Sequence, residues 1–197
     1  MSESPKRENS LVRQGPPEWS SPNGEVTLRE RPFLGYLNLR GNSADSAFAD
    51  AAAKALGVAL PQTPNTTEGH DDLAVFWLGP DEWLLVTEPD AQLELAQRLE
   101  ATFEGQHVAV TDVTGSQCAI TVTGPHARDL LAKGCGLDLH PRSFGPGRCA
   151  QTLLAKSSVL ICHWDESPAF EVFVRRSFAD HLWNWLRAAA RSFPGAA

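Results

Sequence analysis

The stretch Asp112-Val113-Thr114-Gly115-Ser116, followed by Cys118-Ala119-Ile120-Thr121-Val122 and then Gly124-Pro125, decides how the chain is read. A β-branched, apolar run closed by Gly-Pro is a strand that turns into a helix. Proline at a first helical position gives up only an amide that has no intrahelical partner. The helix is therefore expected to start near Pro125, with Ala127, Leu130 and Leu131 on its apolar face and Gly134 in the left-handed position after its last turn. The turn-rich segment Pro141 to Gly147 leads into two apolar runs, Cys149 to Leu154 and Val159 to Trp164. Lys156-Ser157-Ser158 reads as their hairpin. After Phe170 to Val174 the chain closes on a helix from Phe178 to Arg191, whose stripe Phe178, Leu182, Trp185, Leu186 and Ala189 keeps the helical period.

Working outward, the preceding half repeats this order of parts. Phe33 to Leu39 is a strand ending at Gly41, and Asn42 or Ser43 is expected to cap a helix from Ala44 to Leu56. Pro61 to Asp71 reads as a polar loop. Leu73 to Leu78 and Trp83 to Thr87 are strands, and Ala91 to Phe103 is a helix with Leu95, Ala96, Leu99 and Phe103 on one side. The expected fold class is α+β: two βαββα-like halves, about 31–106 and 107–197, with antiparallel sheets and helices packed on them, in the manner of ferredoxin-like units. Residues 1–30 are rich in Ser, Pro, Glu and Arg, with isolated anchors at Leu11, Val12 and Trp19. They read either as a solvated tail or as an arm that lies along a partner.

With 197 residues the chain can bury roughly 70% of the surface its unfolded form exposes. A formal net charge of -7 and no Lys/Arg-rich run argue against nucleic acid or an anionic membrane as the main partner. No apolar stretch approaches the roughly 20 residues of a membrane span. The first residues lack the apolar centre of a secretory signal, so the expected location is cytoplasmic. Cys118, Cys135, Cys149 and Cys162 form no C-x-x-C, so buried free thiols are expected rather than a zinc site or disulfides.

Motifs of catalysis are missing. No phosphate-binding Gly-rich loop, H-E-x-x-H or G-x-S-x-G is present. The six histidines fall one to an element, and His163 is expected on the solvent side of its strand or at an interface. The adjacent acids Asp71-Asp72, Asp81-Glu82 and Asp165-Glu166 lie in turns, where they are ordinarily solvated. Asp112 either faces a cleft or, the preferred reading, caps the backbone near Thr114 or Ser116. No catalytic, cofactor-binding or metal-binding residue is assigned. Trp77, Trp83 and Trp185 are expected in cores, whereas Trp183 is either an interface anchor beside Arg187 or tucked under a loop. Acids crowd the stretch from Glu68 to Asp112, where Arg98 is the single base; after Pro141 bases outnumber acids. That polarity suits docking on a larger partner of mixed charge.

The segment Trp77-Leu78-Gly79-Pro80-Asp81-Glu82-Trp83-Leu84-Leu85 resembles the γ subunit of heterotetrameric sarcosine oxidase. The resemblance extends through Gly41 to Phe48, Leu56 to Gln62, Asp112-Val113-Thr114 and Val122 to Ala127, and covers about Arg31 to Phe193. The second half is more loosely similar to the folate-binding fold of aminomethyltransferases. The resemblance implies a noncatalytic subunit that helps to assemble an enzyme oxidising the N-methyl group of sarcosine. The products are glycine and hydrogen peroxide, with the one-carbon unit passed to tetrahydrofolate as 5,10-methylenetetrahydrofolate or released as formaldehyde. It implies α, β and δ subunits as partners, FAD and FMN on β, NAD on α, zinc on δ, and no cofactor on γ. The alternative is an autonomous folate-binding one-carbon transferase, with an acid such as Asp112 at the floor of its pocket.

Overall fold

Strands here are long apolar runs because most of them are covered on both faces. The computed structural model describes residues 7–22, 24–70, 72–165 and 167–193. In chain order the elements are β1 (Glu18–Ser20), β2 (Thr27–Arg31), β3 (Gly35–Arg40), α1 (Ser46–Leu56), β4 (Thr67–His70), β5 (Leu73–Gly79), β6 (Glu82–Thr87), α2 (Ala91–Thr102), β7 (Ala109–Asp112) and β8 (Gln117–Thr123). There follow α3 (Ala127–Ala132), β9 (Arg148–Leu154), β10 (Ser157–His163), β11 (Ala169–Arg175) and α4 (Arg176–Ala190). They make two antiparallel sheets, β1-β2-β8-β11-β10-β9 and β4-β5-β6-β3-β7.

The α+β expectation holds, as four layers. Alternate side chains of each strand point to opposite faces. Leu37, Leu39, Val75, Trp83 and Leu85 meet Phe48, Leu56, Leu95 and Leu99 of α1 and α2. Ile120, Val122, Ile161 and Val172 meet Leu130, Leu182, Trp183 and Leu186 of α3 and α4. The remaining faces, with Tyr36, Phe76, Leu84, Leu160, Cys162 and Phe173, press the sheets together. At one border the sheets are joined: Cys149 donates its amide to the Asn65 carbonyl at 3.0 Å, and Thr67 to that of Gly147 at 3.1 Å.

The runs β3-α1-β4-β5-β6-α2 and β8-α3-β9-β10-β11-α4 have the same order of elements, and their strands line up alike, β3-β6-β5-β4 and β8-β11-β10-β9. The strand that precedes each run pairs with the other run: β2 lies on β8, and β7 on β3. Of residues 1–30, read from composition as a solvated tail or as an arm, the described ones build the border of the six-stranded sheet. Leu11 is 1% exposed within its core, and β1 pairs with β2.

Several local expectations are corrected. Asp45, not Asn42 or Ser43, caps α1 by accepting from Ala47 N–H; Asn42 accepts from Ala44 N–H and Ser43 donates to the Pro80 carbonyl, which places the helix start at Ser46. The Pro61 to Asp71 loop contains β4, an edge strand too polar to show a pattern. Helix α3 begins at Ala127, because Pro125 and His126 make the turn whose Gly124 carbonyl accepts from Ala127 N–H. Gly134 is not left-handed. Its missing Cβ makes room for the Trp185 ring, which a side chain there would strike. The hairpin turns at Ala155-Lys156, both at positive φ (50° and 66°), so Ser157 already belongs to β10. In α4 the buried stripe is Ala179, Leu182, Trp183, Leu186 and Ala190, and Phe178 is half exposed. No loop separates β11 from α4, and Arg176 N–H donates to the Ser116 carbonyl at 2.9 Å; this junction sets the phase of the helix.

Candidate functional site

A cavity of about 420 Å³ rich in ionisable groups lies between the N-terminal strap, residues 7–17, the end of β2 and the start of β8. Ser10, Glu30, Tyr36, Thr114, Cys118 and Arg176 border it. Glu30 continues the inward series Val26, Leu28, so the pleat carries a carboxylate to a position that is 3% exposed. Its Oε1 accepts from Ser10 N–H at 2.9 Å and Leu11 N–H at 3.2 Å, and the Cys118 thiol lies 3.9 Å away. Oε2 has no partner among the described residues. Burial raises the Glu30 carboxyl above the ordinary glutamate value, against the lowering effect of the two amides and of Arg176. Burial and the neighbouring Glu30 push the Cys118 thiol up to about 12, and burial pushes the Tyr36 phenol well above its usual value. A thiol so held is protonated near neutrality and is a poor nucleophile. What this constellation does well is tie the strap to the sheet.

Arg7 pairs with Asp90 at 2.7 Å, Leu11 enters the core, and Gln14 donates to Asp180 at 2.9 Å, so the strap reaches from the start of α2 to α4. A second cleft, about 660 Å³, opens between the sheets, with Leu84, Leu160 and Phe173 at its floor and Asn38, Gln151 and Arg175 at its border.

The residues singled out from the sequence do not converge. Asp112 is exposed at the end of β7 and accepts from Thr114 N–H at 2.8 Å, the capping role preferred for it. His163 is corrected: it is 2% exposed, stacked on Phe170 at 4.7 Å, with Nε2 3.0 Å from the Ser167 carbonyl. Its neighbours Cys162 and Trp164 do face the other way, but the Phe170 ring and the Ser167 carbonyl enclose its own side as well. His126 stacks on Phe193 and lies 2.9 Å from Asp129; His181 approaches the Ala155 carbonyl. Asp81 pairs with Arg40, and Asp165 caps Ser167, while Asp71 and Glu166 lie outside the described residues. Trp183 is 1% exposed, so the anchor reading is corrected; Trp19 instead meets Arg187, whose guanidinium lies 5.6 Å from its ring centre. Trp83 is fully buried, and Trp77 and Trp185 are half-buried. The four cysteines are free. Among the described residues no three His, Cys, Asp or Glu side chains are grouped to hold a metal ion, and no helix is long and apolar enough to cross a membrane.

Glu30 lies in a segment of polar composition, and the one sequence signal for its burial is the alternation Val26, Leu28, Glu30.

The geometry can be set beside known proteins. The family model that matches residues 40–192 is that of the sarcosine oxidase, gamma subunit family. The chain belongs to this family. A sarcosine oxidase subunit gamma from Corynebacterium sp. (strain P-1) is 34% identical over 194 residues, covering 94% of this chain and 94% of its own length. A chain of the heterotetrameric sarcosine oxidase from Corynebacterium sp. U-96, solved in complex with pyrrole 2-carboxylate, superposes with a TM-score of 0.86 at 32% identity, covering 97% of this chain and 99% of that one. The gamma-subunit fold is also similar to aminomethyltransferase T of the glycine cleavage system from Bartonella henselae, with a TM-score of 0.60 at 19% identity over 83% of this chain and 48% of that chain. At that identity the likeness is one of fold.

Proposed function

We propose that the chain is the gamma subunit of a heterotetrameric sarcosine oxidase and that its part in oxidative demethylation is structural. The supporting observation is the near end-to-end superposition on a chain of such an enzyme, 97% of one on 99% of the other. In this reading the chain contributes no catalytic, cofactor-binding or metal-binding residue. Alpha, beta and delta subunits supply FAD, FMN, NAD and zinc, and the complex converts sarcosine to glycine with hydrogen peroxide and formaldehyde or 5,10-methylenetetrahydrofolate. A shell of helices around two pressed sheets is a rigid body suited to holding larger subunits in register.

Co-expression with the other subunits tests the reading. The chain is expected to co-purify with flavin-containing subunits and, alone, to show no flavin absorbance and no sarcosine oxidation. Turnover by the isolated chain would overturn it. The folate-transferase alternative draws no support from Asp112, whose carboxylate is exposed and engaged by Thr114. Saturable tetrahydrofolate binding by the isolated chain, lost in Asp112→Ala, would restore it.

A further inference from the structure

The two sheets finish differently beside their leading strands. In the six-stranded sheet β2 has β8 on one side and β1 on the other, with Trp19 opposite Leu28. Glu30 N–H donates to the Pro17 carbonyl at 2.7 Å, and Ser21 N–H to that of Val26 at 2.9 Å. The main-chain groups of β2 that point away from β8 are thus occupied. In the five-stranded sheet β7 holds the corresponding place beside β3, and among the described residues no strand lies beyond it.

The pairing phase follows from one bond. Val113 N–H donates to the Tyr36 carbonyl at 2.9 Å, and in an antiparallel ladder bonded and non-bonded pairs alternate. Thr111 with Asn38 and Ala109 with Arg40 are therefore the bonded pairs, and the N–H and C=O of Val110 and Asp112 point outward. Beside that row Val108, Val110 and Ala96 form a half-buried apolar shoulder on the α1/α2 core. On the other sheet Trp19 packs against the core in this position.

Resting on the subunit reading above, we propose that an extended segment of a partner subunit adds a sixth strand at β7. It pairs by main chain with Val110 and Asp112, sets an apolar side chain on the Val108 shoulder and flanks it with Lys or Arg. The sign of the flanking charge comes from the composition of α2, β7 and the segment between them, which carry Glu94, Glu100, Glu104 and Asp112 against the single base Arg98. A second copy of this chain would bring two acidic edges together, which like-charge repulsion disfavours.

Hydrogen exchange over residues 107–114, in the chain alone and in the co-purified assembly, is the test. The Val110 and Asp112 amides are expected to exchange fast in the chain alone and at least tenfold more slowly in the assembly. Val110→Pro removes an outward donor while leaving the bonded pairs at Thr111 and Ala109, so it is expected to lower recovery with partner subunits at least tenfold while the melting temperature of the isolated chain falls by no more than about 4 °C. If that variant fails to fold, exchange in the unaltered protein still decides. An assembly in which both amides exchange as in the free chain overturns the added strand and leaves the subunit reading standing. Absence of any assembly overturns both. Protection in the free chain that grows with its concentration overturns the proposal in favour of self-pairing.

Discussion

The half of the molecule from β3 to α2 and the half from β8 to α4 set their strands in one order, yet they secure equivalent features by different means. Each core holds a fully buried tryptophan. Trp83 donates its indole N–H to the Pro61 carbonyl at 2.9 Å, whereas Trp183 Nε1 has no partner among the described residues. Each opening strand ends in a glycine. Gly41 lies under the Phe48 ring at ordinary backbone angles, whereas Gly124 needs a φ of 108° with the Glu25 carbonyl against it. Each leading strand is lent to the opposite sheet, but only β2 carries a further strand on its free side among the described residues. A shared topology therefore constrains strand order and leaves polar satisfaction and edge protection to be solved locally.

Proline at the two leading strands should break the equivalence most sharply. Leu28→Pro removes a buried side chain and strips a donor from the β1 ladder, at an expected cost of about 4 kcal/mol in urea unfolding. Val110→Pro, with its amide turned outward, should cost the isolated chain about 1 kcal/mol or less. Equal losses would refute the phase assigned to β7. The tryptophans come next. Trp83→Phe should destabilise more than Trp183→Phe by about 1 to 2 kcal/mol, because only the former orphans a carbonyl. Reversal of that order in thermal unfolding would mean that Trp183 has a partner in solution.

The glycines are a finer test. Gly124→Ala forces an L residue into the left-handed region against a carbonyl, and about 2 kcal/mol of destabilisation is expected. Gly41→Ala meets only a side-chain ring and should cost less if Phe48 can shift, which calorimetry of the pair would reveal.

The smallest effect is a pH slope confined to one half. Because burial raises the folded-state pKa of Glu30, the native chain keeps a proton that the unfolded chain releases at lower pH. Stability should fall as pH rises from the ordinary glutamate range through the raised folded value, then level off. Glu30→Gln should remove that component, so its stability relative to the unaltered chain should worsen as the solution is made acidic. Parallel urea midpoints for the two proteins from about pH 4 to 7 would count against a buried, titrating Glu30.

Much of this architecture is legible in the sequence. The run Trp83-Leu84-Leu85-Val86 is apolar on both faces and Phe170 to Val174 is so but for Glu171, and glycine or proline punctuates nearly every junction. What escaped depends on contacts far along the chain. Composition alone could not show that Leu11 enters a core built largely by residues after 118, or that the polar strand β4 is held by its β5 partner. The phase of α4 is another case, since Phe178 and Ala179 fit the helical period equally well until the junction with β11 orients the helix. The Asp112 cap was readable because its partner, Thr114, is local; Glu30 was not, because burial of that carboxylate rests on Cys118 and the strap.

The exchange of leading strands has a consequence for the order in which the protein matures. As the polypeptide leaves the ribosome, β2 emerges well before its bed, β8, which is not translated until after all of α2 and β7. Until then the main-chain groups of β2 that face β8 stay open to water, and the two strands join only after the whole run from β3 to α2 has been made.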